Sequence, residues 1–268
     1  MRDVAHAAAA ERTGDFPNGL RRLFRSVEGE FVREEPREHA FAYVCGLLSR
    51  SPTWHSGGID GRNRLLTTAR WDEDRVRDRI RDIVTRHGGA TGSTLVVAEE
   101  GFLKKGRESA GVERQFCAAS GRAGNYQIGI FLLCFDSRGT VAAIDRELFL
   151  PPSWLDCGTR RKRGGIPADL APATRDQLGE RMLARALAAL TPERVVAPAT
   201  PRVTALLRGH GIAHTPTTPA SARRAARHFR TARDRAGLDR YSARRWRAWY
   251  RHITLSMLAH TFLTTAPG

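Results

Sequence analysis

The feature that most constrains this chain is a hairpin signal near its middle. Gln127 to Phe135 is a nearly unbroken apolar run of strand length, Asp136-Ser137-Arg138-Gly139 reads as a turn, and Thr140 to Phe149 is a second strand-forming run. Thr94 to Val97 is a shorter apolar strand upstream. Three strands in succession, the last two joined by a tight turn, predict an antiparallel start to a sheet. A helical stripe follows at Leu178, Met182, Leu183 and Leu187 within 174–190. Val195-Val196 then reads as a small strand and Val203 to Arg208 as a short helix.

Helical patterns flank this block. Leu20, Leu23, Phe24, Val27 and Phe31 fall on one stripe, and His39 to Leu48 is a second apolar helix. Ser56-Gly57-Gly58 reads as a loop. Trp71-Asp72 opens a third helix, with Asp72 suited to the N-cap, Val76, Ile80, Ile83 and Val84 on the buried face, and Gly88-Gly89 as the stop. Past the block, Thr215 to Pro219 reads as a Pro/Thr linker and Ser221 to Arg235 as an Arg-rich helix. Ser242 to Phe262 is a helix whose apolar face is Ile253, Met257, Leu258 and Phe262. Trp246, Trp249 and Tyr250, at i, i+3 and i+4, read as core packing in preference to a base-stacking patch. The order is helices, β-β-β-α-β-α, then helices, which predicts an α/β or α+β fold with a mixed sheet. We divide it into an N-terminal helical region (1–90), a core (91–214) and C-terminal helices completing the core (215–268).

Charge narrows the partner. Lys plus Arg is 44 and Asp plus Glu is 28, a net +16. Three of the basic residues are lysines, so 44 − 3 = 41 are arginines. Guanidinium forks onto phosphate and stacks on bases, so a polyanion, nucleic acid first, is the expected partner. A codon bias toward arginine is the other source of such a composition. No apolar run reaches membrane-spanning length, and Ala7 to Ala10 is too short for a signal-peptide core. Cys45, Cys117, Cys134 and Cys157 form no CxxC pair, so no zinc site is expected and a reducing, cytoplasmic setting is.

Several segments carry more specific text. These are Leu95-Val96-Val97-Ala98-Glu99-Glu100-Gly101-Phe102-Leu103-Lys104-Lys105-Gly106, Gly111-Val112-Glu113-Arg114-Gln115-Phe116, Asp145-Arg146-Glu147-Leu148, and Gly237-Leu238-Asp239 with Trp249-Tyr250-Arg251-His252-Ile253-Thr254-Leu255 downstream. Together they resemble the DDE transposases of bacterial insertion sequences, in the branch described as DDE superfamily endonucleases and common in actinobacterial genomes. The resemblance runs over roughly Leu20 to Phe262. It implies an RNase H-like mixed sheet in which three carboxylates hold two divalent cations, Mg²⁺ by preference, on the scissile phosphate.

This chain departs from that pattern. The resemblance sets the three acid positions at Ala98, Ala199 and Ala226, and alanine offers no oxygen to a hard cation. Only 226 − 199 = 27 positions separate the last two, where relatives carry a longer, strand-rich insertion; the stretch from Ser51 to Asn63 is also short. Glu100, Asp145 and Glu147 are the remaining candidate acids. Glu99 should face away from Ala98, and Asp145 and Glu147 should be salt-bridged to Arg146 or Arg114, or solvated. Phosphate contacts are expected from Lys104, Lys105, Arg107, Arg114 and Arg122, and from Arg223, Arg224, Arg227, Arg230 and Arg233 on the Arg-rich helix. The expectation is a nucleoid-associated protein that binds double-stranded DNA without cutting it, with no metal site and no cofactor. A domesticated transcriptional regulator, a scaffold repurposed as a non-nuclease enzyme and a decayed remnant stand beside it.

Overall fold

The computed structural model describes residues 18–49, 59–88, 92–242 and 244–265. The expected loop at Ser56-Gly57-Gly58 and the second glycine of Gly88-Gly89 lie outside them. The first helices are α1 (residues 18–24), α2 (Glu34–Leu48), α3 (Ile59–Thr67) and α4 (Glu73–Gly88), with a short 3-10 turn at Glu28–Glu30. Asp72 caps α4 as expected, its Oδ1 accepting from the Asp74 and Arg75 amides at 2.9 and 3.0 Å. The sequence reading missed α3, because arginines and an asparagine break its apolar stripe down to Leu65 and Leu66.

The sheet contains β1 (Thr94–Leu103), β2 (Glu113–Cys117), β3 (Arg122–Phe135), β4 (Val141–Leu148), β5 (Arg194–Val196) and β6 (Ala213–Thr215). β1 runs six residues past Val97, the expected end, and pairs antiparallel with β3 from Thr94↔Phe135 to Leu103↔Tyr126. The far edge of β3 carries two strands end to end. β2 pairs its first residues, Arg122 to Tyr126, and β4 pairs Gly129 to Phe135. On the other side of β1, β5 pairs parallel at Leu95↔Val195, and β6 pairs parallel with β5. The order β4-β3-β1-β5-β6, antiparallel first and parallel afterwards, is RNase H-like, and β2 is an added piece on the first hairpin.

Helices cover both faces. They are α5 (Pro152–Leu155), α6 (Gly158–Gly164), α7 (Arg175–Leu187), α8 (Pro201–Gly209), α9 (Pro219–Ala236) and α10 (Trp246–Thr265). Alternation along β1 decides what meets which helix. Val97 meets Gly179 of α7, where a built Cβ would sit 3.0 Å from Val97 Cγ1. Ala98 and its partner Phe131 turn to the opposite face, where Phe131 lies 5.1 Å from the Phe229 ring of α9 and 6.4 Å from Trp249 of α10. Capping boxes at Thr174/Gln177 and Thr218/Ser221 start α7 and α9. Gly237, at φ 62, ends α9 in the left-handed region, with Leu47 too close for a Cβ.

α10 is where the expectation of a single apolar face fails. Arg251 through Phe262 are buried all round, because α2, α3, α4, α9 and β4 surround the helix. Most of its polar groups are matched inside. Arg251 donates to the carbonyls of Leu65, Ala69 and Trp71 and pairs with Glu73. His252 lies between Tyr43 Oη at 2.7 Å and the Leu238 carbonyl at 3.1 Å. Ser256 donates to the Ala236 carbonyl. Trp249 and Tyr250 belong to the same core. Among the described residues no helix is long and apolar enough to cross a membrane.

Candidate nucleic-acid interface

Ala98 lies at the centre of the sheet on the face that α9 covers, Ala199 beyond the end of β5, and Ala226 on α9 itself. Ala98 is half-buried in mid-β1. Ala199 is exposed in the turn between β5 and α8, next to Thr200, whose hydroxyl caps α8. Continuing the Val96↔Val196 register by two residues sets Ala98 level with Pro198, the neighbour of Ala199. α9 runs along β1. Its Arg224 guanidinium lies 4.4 Å over the Phe135 ring, opposite Thr94, and its Arg233 reaches Glu100. Ala226 lies one turn before Phe229 on the exposed side of α9.

Most acids near this region are answered by an arginine; Glu180 of α7 instead accepts from the Thr200 hydroxyl, beside Ala199, at 2.9 Å. Glu100 shares the Ala98 face of β1, is 2% exposed, and is ion-paired with Arg233. Glu99 turns to the other face, where Arg175 of α7 donates to it at 2.7 Å and the Ala118 amide at 2.8 Å. Asp145 and Glu147 share one face of β4, and Arg185 of α7 bridges them at 3.0 and 2.6 Å. Asp145 also accepts from Arg77 at 3.4 Å and from the Arg146 amide at 2.8 Å; Glu147 accepts from Tyr250 Oη at 2.7 Å. Of the partners expected for this pair, Arg146 is found and Arg114 is not. The Arg146 guanidinium pairs with Asp145 at 3.9 Å and more closely with Asp74 at 2.7 Å, whereas Arg114 stands exposed on β2. Burial alone would lower the Arg185 pKa, but the two carboxylates outweigh it and raise the value. Among the described residues, no group of three or more His, Cys, Asp or Glu side chains gathers as a metal ion would require.

The basic candidates separate into inward and outward sets. Lys104 points inward: its Nζ sits 3.6 Å over the Tyr241 ring, and burial lowers its pKa to about 8 despite nearby Asp239. Asn125 fixes this loop by donating to the Lys104 and Gly106 carbonyls. Lys105 and Arg107 are left facing solvent, as are Arg114 and Arg122 at the β2–β3 end. On α9, Arg233 is held by Glu100 and Arg224 by Phe135. Arg223, Arg227 and Arg230, at i, i+4 and i+7, form an exposed stripe, and no carboxylate among the described residues pairs with them. In α6, by contrast, Arg161 is structural, donating to the carbonyls of Leu155, Pro167 and Leu170.

The sequence reading missed Arg77, Arg175 and Arg185, and no local signal marks them. Each is a helix arginine whose acid lies on a distant strand.

Comparison with known proteins joins this geometry to a lineage. A protein-family model described as DDE superfamily endonuclease matches residues 42–260. No curated protein and no solved structure matches. The match covers most of the chain, including the sheet, α9 and most of α10. Transposase-like nuclease ancestry follows from it, and with it nucleic-acid binding in general. The chain belongs to the DDE superfamily endonucleases.

Proposed function

We propose that this protein descends from an insertion-sequence transposase of the actinobacterial branch and binds double-stranded DNA by its phosphates without cutting it. The observation that carries the second half is the Glu100–Arg233 pair beside Ala98. The divalent cations of the family need anionic oxygens. Here the three acid positions offer methyl groups, and Glu100, on the Ala98 face of β1, is neutralised by a guanidinium. Glu99, Asp145 and Glu147 are held by Arg175 and Arg185. The residues present do not fit a divalent pair, and no metal-dependent step is derived for them.

Binding is supported by the net charge of +16 and by the outward stripe of Arg223, Arg227 and Arg230, with Lys105, Arg107, Arg114 and Arg122 as further solvent-facing cations. Phosphate contacts of this kind carry no sequence information. A nucleoid location is the corresponding expectation in the cell. The test has two arms. Duplex DNA should be bound with an affinity that falls steeply between about 50 and 200 mM salt, and supercoiled plasmid with Mg²⁺ or Mn²⁺ should stay intact. Cleavage that is absent from a mock purification would sink the inactive reading. A salt-independent affinity would sink the phosphate reading. A sharp consensus from a random-duplex selection would replace it with a regulator.

A further inference from the structure

α9 and α10 enclose a small cavity above β3, independent of the DNA-binding stripe. Its volume is about 10 Å³, room for one water or one small ion. His228 of α9 and His260 of α10 line it, with Met257 one turn before His260. The histidines are 6% and 4% exposed, and Met257 is 3% exposed. The two imidazole rings meet edge to face, with centroids 4.6 Å apart and planes at 71°.

Both Nδ1 atoms are buried without a hydrogen-bond partner. An unsatisfied buried acceptor is costly and rare, and two on one cavity call for an explanation. A backbone hydrogen bond with Val141 engages the His228 ring, while its Nδ1 has no partner. Burial lowers the pKa of both rings, that of His260 to about 4, so both are neutral at physiological pH. Neutral imidazole is the form that binds metals. Ser256 does not compete, since its hydroxyl donates to the Ala236 carbonyl.

We propose that His228 Nδ1, His260 Nδ1 and the Met257 thioether form a binding site for a soft monovalent metal ion of the Cu(I) class. No carboxylate lines the cavity, so a hard divalent ion finds nothing to offset its charge, whereas thioether and imidazole suit soft ions at low coordination number. The ring spacing allows a shared ion. With metal–nitrogen bonds of about 2.0 Å each centroid lies about 3 Å from the ion, and the observed separation then subtends about 95–100° at the metal. Such an ion would tie the Arg-rich helix to the central helix through their side chains.

The test uses the full chain carrying Cys157→Ser, which removes the exposed thiol. Titrated anaerobically against the Cu(I)–bicinchoninate complex, it should withdraw one equivalent of metal. His228→Ala and His260→Ala should each weaken uptake at least tenfold, and Met257→Leu by less. Because the histidine variants remove core volume, a second measurement uses the Cys157→Ser protein alone. In long-range ¹H–¹⁵N spectra, both Nδ1 resonances should shift on adding Cu(I). Imidazole spectra that do not change overturn the proposal, as does stoichiometric uptake that survives in the double histidine variant.

Discussion

Replacing Arg185 by leucine removes the cation that bridges Asp145 and Glu147. Asp145 is 2% exposed, and in the variant it keeps only Arg77 at 3.4 Å, the Arg146 amide at 2.8 Å and the more distant Arg146 guanidinium. Breaking a buried pair from one side costs about 3–5 kcal/mol. Arg185 is itself 33% exposed and Asp145 retains partners, so we take about 2–3 kcal/mol. For a chain of this size that is a fall in Tm of about 5–10 °C. Thermal unfolding followed by circular dichroism measures it. Adding Asp145→Asn and Glu147→Gln should recover part of the loss. A deficit below about 1 kcal/mol refutes the reading of Arg185 as the keystone of this pair.

Other outcomes follow from the same structure. Changing Arg223, Arg227 and Arg230 together to glutamine should reduce the slope of log K against log salt by about 2.7, measured by fluorescence anisotropy on a duplex; an unchanged slope removes α9 from the interface. Writing Ala98→Asp, Ala199→Asp and Ala226→Glu together should leave strand transfer absent while introducing weak Mg²⁺ binding, read by calorimetry. Transfer activity in that variant would show that the missing insertion is dispensable. The buried histidines set an acid limit. The pKa values of His252 and His260 are lowered by burial to about 3 and about 4. The stability they contribute is complete above pH 6.5 and is lost below it at about 1.4 kcal/mol per pH unit for each, down to the folded value. Denaturant titrations at pH 6.5 and 5 should show the drop, and equal midpoints would contradict the burial of these rings.

The hairpin from Gln127 to Leu148, the α7 stripe and the Asp72 cap were legible because each is a local pattern. β1 was read only to Val97, since Glu99 and Glu100 look like the start of a loop. What keeps them in the strand is Arg175 from α7 and Arg233 from α9, which the chain supplies far downstream. β6 hid for a different reason: three residues of a parallel strand have no period to detect. α10 was read as one-sided because Arg251, His252 and Ser256 resemble a wet face, yet each finds its partner on another element. The alanine positions were legible only through the text around them. That Arg233 answers the neighbouring Glu100 needed the packing of helix on sheet.

The burial of α10 also fixes an order of events during synthesis. Tyr43 meets His252 across 209 residues, so the faces of α2, α3 and α4 that pack on α10 stay bare until the last helix has been made. At about 5–20 residues per second the ribosome leaves that surface uncovered for roughly 10–40 s. The nascent chain is then a client for chaperones, and a stop codon before Trp246 would release a product that exposes its interior.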